Sequence, residues 1–215
     1  MQINYLTSWY NEPNEKRREE LIKSIRNTIN GGEVDSVFLL IDDNADISIF
    51  ENKVHPIYFK QRPTFNDFFD VANKVCVYGD VAIISNTDIA PEEGTRKLLQ
   101  EIDYNDCYAL SRYDIQEDKS KVLLDRWDAQ DVWVFKTPIR KINGDFSLGF
   151  AGCDNAIAQR IHIAHYNISN PSRTIKFNHL HSSQVHNYNP DHKVPKPYLL
   201  ITPHQLGEIP KLHFS

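Results

Sequence analysis

The first half of the chain alternates between two hydrophobic rhythms. INYLTSWY reads as a strand, and NEKRREELIKSIRNTI follows it as a helix, with Leu21, Ile22, Ile25 and Ile29 on one stripe and Gly31-Gly32 at its end. SVFLLIDDN is a continuous apolar run closing on acids, the pattern of a strand buried on both faces of a parallel sheet. VHPIYF is a third strand, TFNDFFDVANKV a second helix and DVAIIS a further buried strand. Pro91 suits the first turn of a third helix, PEEGTRKLLQEI, whose early glutamates favour an N-terminus. Such alternation predicts an α/β domain, Rossmann-like, with a mostly parallel central sheet flanked by helices.

The second half changes character. CYALSRYDI and DVWVFK are strand-like, NGDFSLGFAGCDN carries glycines, DNAIAQRIHIAHY is helical, and a His-rich, Pro-punctuated tail follows. No linker and no internal repeat divides the chain, so residues 1–215 are read as one domain. Residues 1–103 form its scaffold half, and residues 104–215 contribute a working face and the tail.

In open α/β sheets ligands bind beyond the carboxyl ends of the strands. Two strands end in acids or amides, VFLLIDD at Asp42-Asp43 and VAIISNTD at Asn86 and Asp88, and these ends are expected to share a crevice. By residue type, Asn86-Thr87-Asp88 first reads as a turn that caps the next helix. The competing reading presents Asp88, with Asn86 beside it, to a divalent cation bridging a diphosphate, for which hard oxygen donors suit Mg²⁺ or Mn²⁺.

Composition narrows the partners. At 215 residues, with 40 % hydrophobic and 25 % charged, the chain is large enough to bury about 70 % of its unfolded surface. The balance of 24 basic against 29 acidic residues gives −5, which disfavours nucleic acid. The densest basic run, Lys16-Arg17-Arg18, is followed by Glu19-Glu20 and reads as a solvated helix face. Three spaced cysteines without a CxxC pair fit reduced thiols, and Cys76 and Cys107 sit in apolar, strand-like contexts that read as core. No apolar run approaches the ~20 residues that span a bilayer, and no signal peptide is visible, so a cytoplasmic location is expected.

The order of these parts, with RPTFNDFFDVANKV leading into GDVAIISNTDIAP, resembles the nucleotide-sugar-binding half of GT-A-type glycosyltransferases, family 2-like. The DxD motif of that family would read Asn86-Thr87-Asp88 here, with an amide in place of the first acid. FAGCDNAIAQRIHIAHYNISNPSRTIKFNHLHSS is similar to the family's later segment, and the likeness runs over roughly residues 3 to 183. It implies a metal-dependent transfer of a sugar from a nucleotide-diphosphate donor to a hydroxyl of a glycan or other acceptor. Asp88 with His179 or His181 would hold Mn²⁺ or Mg²⁺, stabilising the leaving diphosphate. Asp154 would be the general base of an inverting reaction, with Asn155 beside it at the acceptor or sugar.

The resemblance also assigns Thr7, Asp42 or Asp43, Arg62, Asn73, Asn86 and Thr87 to the donor. Arg62 is the better fit to the diphosphate, because a guanidinium fork matches phosphate oxygens. In RWDAQDVWVF, Trp133 reads as core, whereas Trp127 is the candidate sugar platform and Asp131 a candidate ligand of donor or acceptor sugar. Two other readings stand beside this one: a nucleotidyltransferase, although the glycine-rich phosphate loop at the first strand is missing, and a nucleotide- or carbohydrate-binding module without turnover. HLHSSQVH as a zinc site lacks HExxH, CxxC and a third ligand at a set spacing.

Overall fold

Strand β1 (Ile3–Trp9) leads into α1 (Glu15–Asn30), whose first turn is closed by the Asn14 side chain accepting from the Arg17 amide at 3.0 Å. The chain returns as β2 (Ser36–Ile41) and continues through β3 (Val54–Tyr58) to α2 (Phe65–Val75). Thr64 and Asp67 form a reciprocal capping box at the start of α2. These elements and those below come from a computed structural model that describes residues 1–50, 53–180 and 193–215.

Next come β4 (Val81–Ser85), β5 (Ile89–Pro91), α3 (Thr95–Leu99), β6 (Asp106–Leu110), β7 (Tyr113–Ile115), β8 (Lys121–Leu123) and β9 (Val132–Lys136). Then follow α4 (Cys153–Ile163), β10 (Asn167–Ser169), β11 (Phe177–His179), β12 (Leu199–Ile201) and β13 (Leu212–Phe214). Seven strands form the main sheet in the order β10-β6-β9-β4-β1-β2-β3. It is parallel throughout except where β9 runs antiparallel between β6 and β4.

Period-two alternation divides the core into two layers. Ile3, Tyr5 and Trp9 of β1, Val81 and Ile83 of β4, and Val132 and Val134 of β9 pack with the α1 stripe of Leu21, Ile25 and Ile29. Their neighbours Leu6, Ala82, Ile84, Trp133 and Phe135 point the other way, onto α2 and α4 through Phe65, Phe68, Phe69, Ile157 and Ile161. Buried on both faces, β4 can only be apolar until it emerges at its carboxyl end, and there the polar residues begin.

Four local expectations are corrected. Pro91 closes the short strand β5 instead of opening a helix, and α3 starts only at Thr95. The start of α3 is supplied from far away: the Glu33 carboxylate accepts from the Gly94 and Arg96 amides at 3.0 and 2.6 Å, while Gly94 adopts φ +88°. Glu33→Ala is therefore expected to cost about 1–3 kcal/mol, read by thermal or denaturant unfolding, because two amides lose a charged acceptor. CYALSRYDI is two strands in different sheets, β6 and β7, parting at Ser111-Arg112. Arg17 is buried at 7 % exposure rather than solvated, and Cys76 is the half-buried C-cap of α2 rather than a strand residue.

A second sheet, β5-β11-β7-β8, is set against the carboxyl ends of the main one. Its register brings His179 of β11 opposite Ile89 on one side and Asp114 on the other. The antiparallel hairpin of β12 and β13 closes the α4 side of the molecule.

Candidate functional site

The turn after β4 is pinned from both flanks. Thr7 donates to the Ser85 carbonyl at 2.8 Å, Thr87 donates to the Ser8 carbonyl at 2.7 Å, and the two hydroxyls lie 3.2 Å apart. The Asn86 amide nitrogen donates to Asp131 Oδ1 at 3.0 Å, tying the turn to the start of β9. Asp88 is thereby aimed away from the sheet into a buried cluster of charges.

Asp88 Oδ2 accepts from both the Arg17 guanidinium and, at 3.0 Å, His179 Nε2. Arg17 also pairs with Glu20 at 3.1 Å. The other ring nitrogen of His179 meets Asp114 at 2.7 Å, and Arg112 bridges Asp114 and Asp131 at 2.9 and 3.0 Å. Four carboxylates thus interleave with two guanidiniums and one imidazole. Burial opposes charge on His179, but its hydrogen bonds to Asp114 and Asp88 outweigh that and raise its pKa to about 9, so the ring is cationic at neutral pH. Asp114 is held at about 2: burial would raise it, and the bonds from His179 and Arg112 prevail. Asp131, fully enclosed, is pushed up by burial against the pull of Arg112, and its Oδ2 has no hydrogen-bond partner among the described residues.

A second centre, on which the Asp131 charge acts, lies at the start of α4. Asp154 lies in the first turn of α4, after Gly152, whose φ of +73° and close approach to Tyr198 leave no room for a side chain. Burial raises the Asp154 pKa to about 7; the Asn155 and Gln130 amides oppose the rise and the Asp131 charge adds to it. A cavity of about 590 Å³ opens here, lined by Trp127, Asp128, Asp154, Asn155, Lys193 and Tyr198 among others. Asn155 donates to the Asp128 carbonyl at 3.3 Å, and its Oδ1 is buried without a partner among the described residues.

The structure brings Thr7, Asn86, Thr87, Asp88, Asp131 and His179 together at the carboxyl ends of the strands, and Trp127, Asp154 and Asn155 around the adjacent cavity. Asp42 and Asp43 follow β2 at the same edge, where Asp43 accepts from the Asn11 and Ala45 amides at 2.7 and 2.8 Å. Arg62 donates to the Leu148 carbonyl at 2.7 Å and stacks on Phe150. Asn73 is not brought to the crevice: it holds both backbone groups of Ile139, beyond the end of β9 that pairs with the start of β4. Trp133 is core at 1 % exposure, as its apolar strand predicts. His181 lies outside the described residues. Arg17, Glu20, Arg112 and Asp114 complete the cluster without having been singled out from sequence. The one local hint was Arg112, a charge interrupting an otherwise strand-like run.

With Nε2 hydrogen-bonded to Asp88, whose Oδ2 is also taken by Arg17, His179 would have to give up its proton before the pair could hold a divalent cation. Asp88 and the Nε2 of His179 converge, and a carboxylate on the remaining ring nitrogen is the usual support of a metal-bound histidine. No group of three or more His, Cys, Asp or Glu arranged for a metal occurs among the described residues. Mg²⁺-type sites often use one or two protein carboxylates and complete their shell with substrate phosphates and water.

No protein-family model and no curated protein sequence matches this chain. Solved structures do resemble it. Residues 1–349 of S. aureus TarS, in complex with UDP-GlcNAc, superpose with a TM-score of 0.56 at 12 % identity, over 86 % of this chain and 60 % of that one. GalNAc-T7 with UDP, GalNAc and Mn²⁺ gives 0.53 at 10 % identity, over 91 % of this chain and 45 % of that one. A 4-diphosphocytidyl-2C-methyl-D-erythritol synthase from Anaerococcus prevotii gives 0.44 at 12 % identity, over 63 % and 70 %. The fold is accordingly a GT-A-like, Rossmann-like α/β domain with a mainly parallel central sheet. No helix among the described residues is long and apolar enough to cross a membrane.

Proposed function

We propose that this chain is a glycosyltransferase that moves a sugar from a nucleotide-diphosphate donor to an acceptor hydroxyl with inversion. The observation that carries the reading is Asp154, a carboxyl that lines a cavity of about 590 Å³ and whose burial raises its pKa to about 7. A base tuned near the working pH is what proton removal from a hydroxyl demands. Asp154 accepts the acceptor proton as the oxygen attacks the anomeric carbon from the face opposite the diphosphate. The bond from that carbon to the phosphate oxygen breaks, and the leaving diphosphate takes its electron pair.

Asp88 and His179 are the residues that would hold Mn²⁺ or Mg²⁺, and a bound cation would supply Lewis-acid stabilisation of the leaving group. Arg17 fixes the Asp88 carboxylate, and Asp114 fixes the His179 ring. Asn86, Thr87 and Thr7 shape the floor under the donor. Asp42 or Asp43 reaches its base or ribose, and Arg62 its phosphates. Asp131 and Asn155, each with a buried oxygen that has no partner among the described residues, are the candidates for sugar hydroxyls.

The test is a panel of nucleotide sugars and simple glycoside acceptors with and without Mn²⁺, following transfer by mass spectrometry. Transfer of one sugar supports the reading. Nucleotide transfer from a nucleoside triphosphate to a sugar phosphate would replace it with nucleotidyl chemistry. With Asp154 as base, kcat/KM is expected to rise with pH and level off above about 7, and a profile flat from pH 5 to 9 would remove Asp154 from that role.

A further inference from the structure

Trp9 and Trp133 are 2 % and 1 % exposed, whereas Trp127 is 56 % exposed. An indole left this open is ordinarily mobile or mispacked, but Trp127 is neither. Its carbonyl accepts from the Ile201 amide at 2.7 Å and from the Gln130 side chain at 3.0 Å, which pins the backbone to β12 and to the start of β9. Its ring leans on His213 of the hairpin, with centroids 5.5 Å apart at 47°. The indole faces solvent from a backbone held in place.

Trp127 lines two cavities. The larger is the Asp154 cavity of about 590 Å³, and a second of about 350 Å³ is lined by Asp125, Arg126, Trp127 and Asp128. Trp127 and Asp128 line both, so the two cavities are neighbours that share this wall. Each lies within the volume range of small-ligand sites. The second cavity is rimmed by charge: Arg126 forks onto Asp128 at 2.9 and 2.8 Å, and Asp125 receives Arg173 at 3.0 and 2.8 Å. An acyl chain would gain nothing from such a rim. A polyhydroxylated ring gains both an apolar face against the indole and planar carboxylate and guanidinium partners for its hydroxyls.

We infer that the acceptor is an oligosaccharide of at least two units, one placed at Asp154 and the next laid over Trp127 towards Asp125. The inference rests on the glycosyltransferase reading for the word acceptor, but the binding itself does not require turnover.

The probes are the p-nitrophenyl-free methyl glycosides of glucose, galactose and N-acetylglucosamine, each as mono- and disaccharide. Binding constants in the parent and in every variant are read by isothermal titration calorimetry, and in the parent a quench or blue-shift of tryptophan emission reports on Trp127, because the other two tryptophans are buried. At least one disaccharide is expected to bind ten-fold or more tightly than its monosaccharide. In Trp127→Ala the ratio is expected to fall to near one, with Trp127→Phe retaining most of it. Asp125→Ala, which lines the smaller cavity alone, is expected to reduce the same ratio. Equal binding of mono- and disaccharides, an unchanged ratio in both alanine variants, or emission changes with detergent micelles or peptides instead of sugars would each overturn the inference. Its failure is separable from that of the catalytic reading. Length-dependent binding without transfer from any nucleotide sugar would sink only the latter, and efficient transfer with equal KM for both acceptor lengths only the former.

Discussion

Asp154→Asn is expected to lower transfer by 10²–10⁴-fold, the range that general-base catalysis supplies, and at the same time to raise the stability of the protein above neutral pH. The two effects share one cause. Burial, with the Asp131 charge adding to it against the Asn155 and Gln130 amides, lifts the Asp154 pKa from 3.8 to about 7. The folded state then binds this proton more tightly than the unfolded chain. Its stability is undiminished below pH 3.8, falls as pH rises towards 7 and stays low above it. An asparagine carries no such penalty, so the variant should gain on the order of 2 kcal/mol at pH 8 and almost nothing at pH 4. Thermal unfolding at the two pH values, beside a transfer assay, reads both. Lost transfer with lost stability would instead mark Asp154 as a structural residue of the α4 start, and retained transfer would end its candidacy as base.

Much of the scaffold was legible because it is local. Alternate burial along β1, β4 and β9 and the stripe on α1 are written in successive residues, and strand ends at Asp42 and Asn86 follow from where apolar runs stop. What failed depended on distant partners. PEEGTRKLLQEI looks like one helix until Glu33 is seen to set its start, and CYALSRYDI looks like one strand until β7 is pulled into the second sheet by β11. The same divide runs through the site. Asp88 was suggested by where a buried strand ends, whereas Asp154 and His179 were suggested only by the resemblance in the order of the chain's parts. Arg17 and Asp114 were not, because ion pairs spanning 71 or 65 residues leave no periodicity behind. Asn73 had the expected sequence position but its amide was committed to Ile139.

Asp88→Ala is expected to cost about 3–5 kcal/mol, because it strips a shared counter-charge from two buried cations. For a chain of this size that lowers the melting temperature by roughly 10 °C. The pH dependence should change with it. The raised pKa of His179 contributes stability that is fully present below pH 6.5 and lost as pH rises through about 9, while that of Asp114, depressed to about 2, is present above 3.8 and lost as pH falls through 2. Removing Asp88 takes away one of the two carboxylates that hold the imidazole proton, so the alkaline loss should begin at lower pH while the acid limb, set by Asp114, keeps its place. Thermal unfolding from pH 2 to 10 distinguishes this from a uniform loss. Activity would fall in Asp88→Ala whether the carboxylate served the donor or merely the fold, and the triple variant Arg17→Met/Glu20→Gln/Asp88→Asn separates the two. Replacing every partner of the buried Arg17 charge costs far less than orphaning one, so this variant should recover most of the stability lost by Asp88→Asn alone. If Asp88 meets the donor or its cation, transfer stays lost in the triple variant although its stability returns. Transfer restored along with stability would make the carboxylate a counter-charge for Arg17 and nothing more.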